Sequence, residues 1–157
     1  MKLKTLDQLK IIIDLHKSHR KKIVWTNGCF DLLHPGHIFS LEKAKEKGDI
    51  LIVGLDSDSS VRKLKGFNRP IIQEEYRIKF LEALSFVDYI IIINFNEAKY
   101  IIKELMPDIY VKSGNYNLDT INQEERIVVE DYGGEIYIPK GLEGFSTTDI
   151  IKKIKNE

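Results

Sequence analysis

Apolar residues in this chain gather into five short runs, separated by stretches in which they recur every three or four positions. The runs at 23–26, 50–55, 89–93, 109–111 and 135–138 are rich in β-branched and aromatic side chains and read as strands. Ile50-Leu51-Ile52-Val53 and Ile90-Ile91-Ile92-Ile93 carry no polar alternation, as expected of strands covered on both faces, so the sheet is predicted to be parallel. Stretches 37–47, ending at Gly48, 74–84, and 97–105, closed by Met106-Pro107, have helical pattern and stop signals. Strands alternating with helices predict an α/β fold: a doubly wound, parallel five-stranded sheet with helices on both faces. Leu6, Leu9, Ile12 and Ile13 share one helical face, so 1–20 is expected to hold an N-terminal helix packed on the domain. Ser146 is placed to cap a last helix through Ile150, Ile151 and Ile154.

Composition narrows the function. The 157 residues, 43% hydrophobic, are the size of one domain, read as 1–157. Lys plus Arg and Asp plus Glu number 24 each, so no global field recruits nucleic acid or an anionic membrane, and any anion must be handled locally. The single cysteine, Cys29, forms no internal disulfide, and neither a secretory signal nor a membrane-spanning stretch is evident; a cytoplasmic protein is expected.

The first strand runs into Thr26-Asn27-Gly28-Cys29-Phe30-Asp31-Leu32-Leu33-His34-Pro35-Gly36-His37. Gly28 and Gly36 let backbone approach a ligand, and the following helix start presents free N–H groups to an anion. Two imidazoles flanking Pro-Gly at that position are able to donate to one phosphate, where charge grows when an α-phosphorus is attacked. Read alone, a histidine pair is more often a cap or core feature; the glycines and the strand-to-helix setting favour phosphate chemistry. Two histidines without a carboxylate cluster do not make a zinc site, and no protein metal ligand is assigned.

Two more elements suit phosphates. Arg62-Lys63-Leu64-Lys65-Gly66-Phe67-Asn68-Arg69-Pro70 reads as a basic loop able to offset the repulsion between two phosphorylated reactants. Ser146, Thr147 and Thr148 at the start of the last helix combine hydroxyls with the positive dipole end.

The string from Gly28 to His37 resembles the HxGH signature of the cytidylyltransferase-like nucleotidyltransferases, and the likeness extends over nearly the whole chain. It implies a Rossmann-like enzyme that joins a nucleoside monophosphate to a phosphorylated acceptor and releases pyrophosphate. His34, His37 and Lys65 are then the candidate catalytic residues. Thr26, Asn27, Gly28, Phe30, Gly36, Arg77 (in Glu75-Tyr76-Arg77, like the family's E-x-R), Ser146, Thr147 and Thr148 would bind nucleotide. Asp31, Lys63, Lys112, Gly114 and Asn115 would bind the acceptor. Magnesium is expected through the ATP phosphates rather than on protein ligands such as Asp31 or Asp149.

Within that family, Pro107-Asp108-Ile109-Tyr110-Val111-Lys112-Ser113-Gly114-Asn115-Tyr116 resembles the P-D-x-x-V-K-G-G-D-Y element of adenylyltransferases that make ADP-heptose for lipopolysaccharide or capsule. Ser113 and Asn115 depart from it. The arginine of the R-T-E-G string in glycerol-3-phosphate cytidylyltransferases is missing from Gly141-Leu142-Glu143-Gly144, which favours ATP over CTP. The resemblance implies ATP and heptose 1-phosphate as substrates, a separate kinase supplying the 1-phosphate, and a homodimer. The rivals are a CTP-dependent glycerol-3-phosphate enzyme and a nucleotide-sensing module without turnover.

Overall fold

In a computed structural model, which describes residues 1–142 and 144–155, five strands form one sheet: β1 (Ile23–Gly28), β2 (Ile50–Asp56), β3 (Tyr89–Ile93), β4 (Ile109–Val111) and β5 (Glu135–Tyr137). Their order is β3-β2-β1-β4-β5 and every pairing is parallel, as the uninterrupted apolar runs predicted. The chain winds outward from β1 to β3 and returns to place β4 on the other side of β1. The order therefore reverses between β1 and β4, where such sheets open a crevice beyond the C-terminal strand ends.

Seven helices cover the sheet among the described residues: α1 (Leu6–Ser18), α2 (Pro35–Lys45), α3 (Asp58–Lys65), α4 (Glu74–Ala83), α5 (Ala98–Leu105), α6 (Gln123–Asp131) and α7 (Thr147–Lys155). One core half joins Val24, Leu51 and Val53 to Leu41 and Ala44 of α2 and Leu81 of α4. The other joins Trp25, Ile52 and Tyr110 to Leu9 and Ile13 of α1, Ile101 and Ile102 of α5 and Val129 of α6. Alternation along β1 divides the two: Ile23 and Trp25 face α1, α5 and α6, whereas Val24 faces α2. The N-terminal helix packs on the domain as its apolar stripe predicted, and Thr5 and Gln8 close a capping box at its start.

Helices α3 and α6 were not anticipated. Helix α3 has eight residues, six of them charged or serine, and buries little besides Ser60 and Val61, so its apolar period is too sparse to register. Helix α6 did leave a signal: Asn122 accepts hydrogen bonds from Glu124 and Glu125, an N-cap followed by acids in the first turn. The 62–70 segment, read above as one basic loop, divides into the last turn of α3 and a turn after Gly66. Strand ends move by up to two residues, β1 reaching Gly28 and β2 Asp56.

Candidate active site

Helix α2 begins at Pro35, with His34 at the N-cap in extended conformation; its side chain makes no capping hydrogen bond. The His34 and His37 rings stack at 3.8 Å between centroids and 23° between planes, and Phe30 closes against His37 at 5.4 Å. Both Nδ1 atoms are buried and lack a hydrogen-bond partner. A capping histidine would have spent that atom; here it is unspent, and both histidines line the cleft. Burial holds both imidazoles below their ordinary pKa, His37 at about 4 with the neighbouring His34 adding to the effect, so both rings are neutral donors at pH 7. Gly36 makes room for the pair: a Cβ there would lie 3.0 Å from Cε1 and 3.1 Å from Nδ1 of His34.

The start of α7 docks onto this loop. The Thr147 hydroxyl donates to the Asp31 carbonyl at 2.8 Å, and Ser146 caps the helix by accepting from the Asp149 N–H at 3.1 Å. The first-turn N–H groups of Thr147 and Thr148 have no partner within an α-helix, and both residues border the cleft, which suits an anion there. The third wall is the turn after β4. Gly114 has φ +123°, and a Cβ on Gly141 would meet its backbone at 3.1 Å, so these two segments pack glycine to glycine. Ser113, one of the two departures from the family pattern, bonds Ser40 of α2 through its hydroxyl at 2.8 Å, which adds a tie between the β4 turn and α2. Glu143 of the Gly141–Gly144 string lies outside the described residues.

These pieces enclose one cleft of about 810 Å³ above the β1 tip. Fourteen of the seventeen expected site residues border it: Thr26, Asn27, Gly28, Phe30, His34, Gly36, His37, Lys65, Lys112, Gly114, Asn115, Ser146, Thr147 and Thr148. The volume lies in the upper range for small-molecule sites and admits a nucleotide with a second reactant.

Asp31, Lys63 and Arg77 do not border it, and their side chains have other partners. Arg77 is fully buried and spends its guanidinium on the carbonyls of Cys29 (2.6 Å), Asp56 (2.8 Å) and Ile72 (2.9 Å) and on the Asp58 carboxylate (2.8 Å). Asp31 accepts from Arg69 Nε at 2.6 Å and from the N–H groups of Ile71 and Ile72. Burial acts to raise its pKa, but those N–H groups and the Arg69 charge outweigh it and hold the carboxyl below its usual range. Together the two side chains clamp the loops after β1 and β2 and the turn at 69–72. Lys63 is exposed, its ammonium 5.1 Å from the ring centroid of Phe95. Arg69, by contrast, reaches the wall beside Lys65.

Sequence reasoning also missed lining groups at the other end. Asp56 ends β2 and accepts from the Cys29 thiol at 3.2 Å; burial raises its pKa, and burial beside Asp56 pushes Cys29 up to about 12. Glu125 lies in α6, a helix the periodicity did not disclose. Among the described residues no group of three or more His, Cys, Asp or Glu is arranged to hold a metal, and no helix is long and apolar enough to cross a membrane.

Comparison with known proteins agrees with this geometry. Residues 25–153 match the family described as Cytidylyltransferase-like. The chain is 47% identical over 153 residues to the bifunctional protein HldE of Geobacter metallireducens, and 41% to that of Ectopseudomonas mendocina, covering 98% of this chain each time. It spans about a third of the length of these relatives, 31% and 32%. Among solved structures, a lipopolysaccharide core biosynthesis protein from Thermoplasma volcanium superposes with TM-score 0.63 at 27% identity, over 78% of this chain and 97% of that one. A pantoate-beta-alanine ligase from Francisella tularensis shares the fold alone, with TM-score 0.61 at 16% identity over 99% and 77%. The HxGH loop, the cleft around it and these likenesses agree: the chain belongs to the cytidylyltransferase-like family and is a nucleotidyltransferase.

Proposed function

We propose that the protein transfers AMP from ATP to heptose 1-phosphate, giving ADP-heptose and pyrophosphate. The observation that carries the phosphate half is the meeting of the stacked His34–His37 pair with the first turn of α7 in one cleft. ATP and a sugar phosphate, rather than CTP and glycerol 3-phosphate, follow from the likeness of 107–116 to ADP-heptose-forming enzymes and from Gly141, where the cytidylyltransferases carry arginine.

In this reading the α-phosphate lies against His34 and His37, the outer phosphates against Thr147 and Thr148, and the acceptor phosphate near Lys65 and Arg69. An oxygen of the acceptor phosphate forms a bond to the α-phosphorus as the bond to the bridging oxygen breaks, and the electron pair departs on pyrophosphate. The imidazole N–H groups donate more strongly to the α-phosphate oxygens as charge develops there, and the cations offset repulsion between the reactants. No covalent enzyme intermediate is required, and Cys29, held as a thiol, is not a nucleophile. Magnesium, carried on the ATP phosphates, would supply further charge neutralisation. The resemblance also supports a cytoplasmic homodimer, and light scattering tests the subunit number.

The function is tested by pyrophosphate release with ATP and CTP, each against heptose 1-phosphate and glycerol 3-phosphate. ATP with heptose 1-phosphate is expected to be the best pair. Preference for CTP or for glycerol 3-phosphate would refute the substrate assignment, and tight ATP binding without turnover on any acceptor would make the protein a nucleotide sensor.

A further inference from the structure

The cleft crosses the end of the sheet, and its two sides differ in chemistry. Next to α2 and α7 stand the imidazoles and hydroxyls given to phosphate above. On the opposite side, where α5 and α6 begin, the wall carries Asn94, Phe95, Asn96, Asn122 and Glu125. Lys99 on this wall is paired with Glu124 at 2.7 Å, and the amides, the Glu125 carboxylate and the aromatic ring suit a neutral polar ligand body rather than phosphate. Asn27, at the tip of β1, stands between the two sides; alternation from Trp25 puts its side chain on the α5–α6 face.

Glu125 is the residue that demands an explanation. Its side chain sits in the first turn of α6 with the residue only 5% exposed, yet it borders the cleft. One carboxylate oxygen accepts from the Tyr110 hydroxyl at 2.7 Å, and the other from the Asn27 amide at 3.5 Å, a long contact. Both partners are uncharged, and the cation beyond them, Lys112, bonds the Asn27 side-chain oxygen at 3.3 Å rather than Glu125 itself. Burying a carboxylate against neutral groups costs stability that a packed apolar residue would not, so the fold gains nothing obvious from it. A carboxylate accepts roughly four hydrogen bonds, and two are used here, one of them weak. The residue borders the cleft, and the hydroxyl of a fully buried tyrosine holds its carboxylate.

We propose that Glu125, oriented by Tyr110 and flanked by Asn27, accepts hydrogen bonds from hydroxyl groups of the acceptor sugar and thereby selects a polyhydroxylated phosphate ester over a small alcohol phosphate. Vicinal hydroxyls are donors spaced for a carboxylate edge, and the neighbouring asparagines both donate and accept, as hydroxyls require. Phe95, partly exposed on the same wall, offers an apolar surface to the C–H face of a sugar ring. The inference rests on reading the cleft as the site of transfer to a sugar phosphate. It adds which side of the cleft holds the sugar and which residue reads it.

The test is a set of steady-state constants from pyrophosphate release for the wild type, Glu125→Gln and Tyr110→Phe, with heptose 1-phosphate, its deoxy analogues and glycerol 3-phosphate. Glu125→Gln keeps the shape and an acceptor for Tyr110 but removes the charge. It is expected to raise KM for heptose 1-phosphate about ten- to hundredfold, while KM for ATP and for glycerol 3-phosphate stays within about twofold. Tyr110→Phe, which frees the carboxylate without removing it, is expected to raise the same KM by less. A purely structural Glu125 would lower the melting temperature and leave the acceptor KM alone; that result, or a rise in the ATP KM instead, overturns the inference. Should Glu125→Gln fail to fold, the deoxy analogues decide on the wild type: at least one must lose about tenfold in kcat/KM, and equal use of all of them overturns the proposal. A wild type that prefers glycerol 3-phosphate refutes the substrate assignment and the selectivity together, whereas normal heptose 1-phosphate turnover with an inert Glu125→Gln refutes the selectivity alone.

Discussion

The Thr147 hydroxyl donates to the main-chain carbonyl of Asp31 at 2.8 Å, joining positions 116 residues apart in sequence. The last helix is thereby docked beside the imidazole pair, and the side chain of the same Asp31 reaches the 69–72 turn. One residue thus ties two walls of the cleft to the loop that carries the histidines. Thr147→Val keeps the volume and removes the hydrogen bond. It is expected to cost about 1 kcal/mol of stability and to raise KM for ATP, with Thr147→Ser restoring both. Urea denaturation and initial-rate kinetics check this, and an unchanged ATP KM in the valine variant would dissociate the contact from nucleotide binding.

His37→Ala is expected to lower kcat by about a hundred- to a thousandfold, the usual loss when one preorganised donor to a charged transition state is removed. The far-ultraviolet circular dichroism of the variant should match the wild type, because the ring is packed mainly against Phe30 and His34. Full activity in the folded variant would exclude the role assigned to this imidazole.

Arg77 and Lys63 should separate scaffold from chemistry. Arg77→Met removes a fully buried guanidinium with four partners and leaves the Asp58 carboxylate unpaired, a change expected to cost about 3–5 kcal/mol. Lys63→Ala, at an exposed side chain that does not border the cleft, is expected to leave both stability and the acceptor KM near wild type, whereas Lys65→Ala raises the acceptor KM. Equal kinetic losses for the two lysines would show that the 62–65 turn rearranges around substrate.

Acidification probes the imidazoles. The unfolded chain takes up a proton at His37 near pH 6.5, but burial keeps the folded ring neutral until about pH 4. Stability is therefore complete above about pH 6.5 and declines as pH falls towards 4, because the unfolded state binds the extra proton. His37→Gln should show a shallower loss of melting temperature across that window. Bound ATP should also flatten it, since a phosphate beside the ring favours its protonated form. Parallel slopes in wild type and variant would contradict the depressed pKa.

Much of the architecture could be read before any coordinates. The unbroken apolar runs at 50–53 and 90–93 specified strands covered on both sides, and they pair in parallel with β1 between β2 and β4. Helices α3 and α6 escaped because short, charged helices held by caps rather than by an apolar stripe leave no periodic signal; Glu125, lying in α6, escaped with them. Asp31, Lys63 and Arg77 lie off the cleft lining for another reason. A residue type suited to phosphate is equally suited to clamp loop carbonyls and amides, and only three-dimensional placement decides between the two uses. His34 and His37 stood out in the sequence because a strand, glycines and a helix start surround them, and both line the cleft.

The most direct measurement is a crystal structure with a non-hydrolysable ATP analogue. The α-phosphate oxygens are expected within hydrogen-bonding distance of His34 and His37, and the outer phosphates against the N–H groups of Thr147 and Thr148. A nucleotide bound elsewhere, or one whose phosphates leave both imidazoles and the first turn of α7 untouched, would contradict the account.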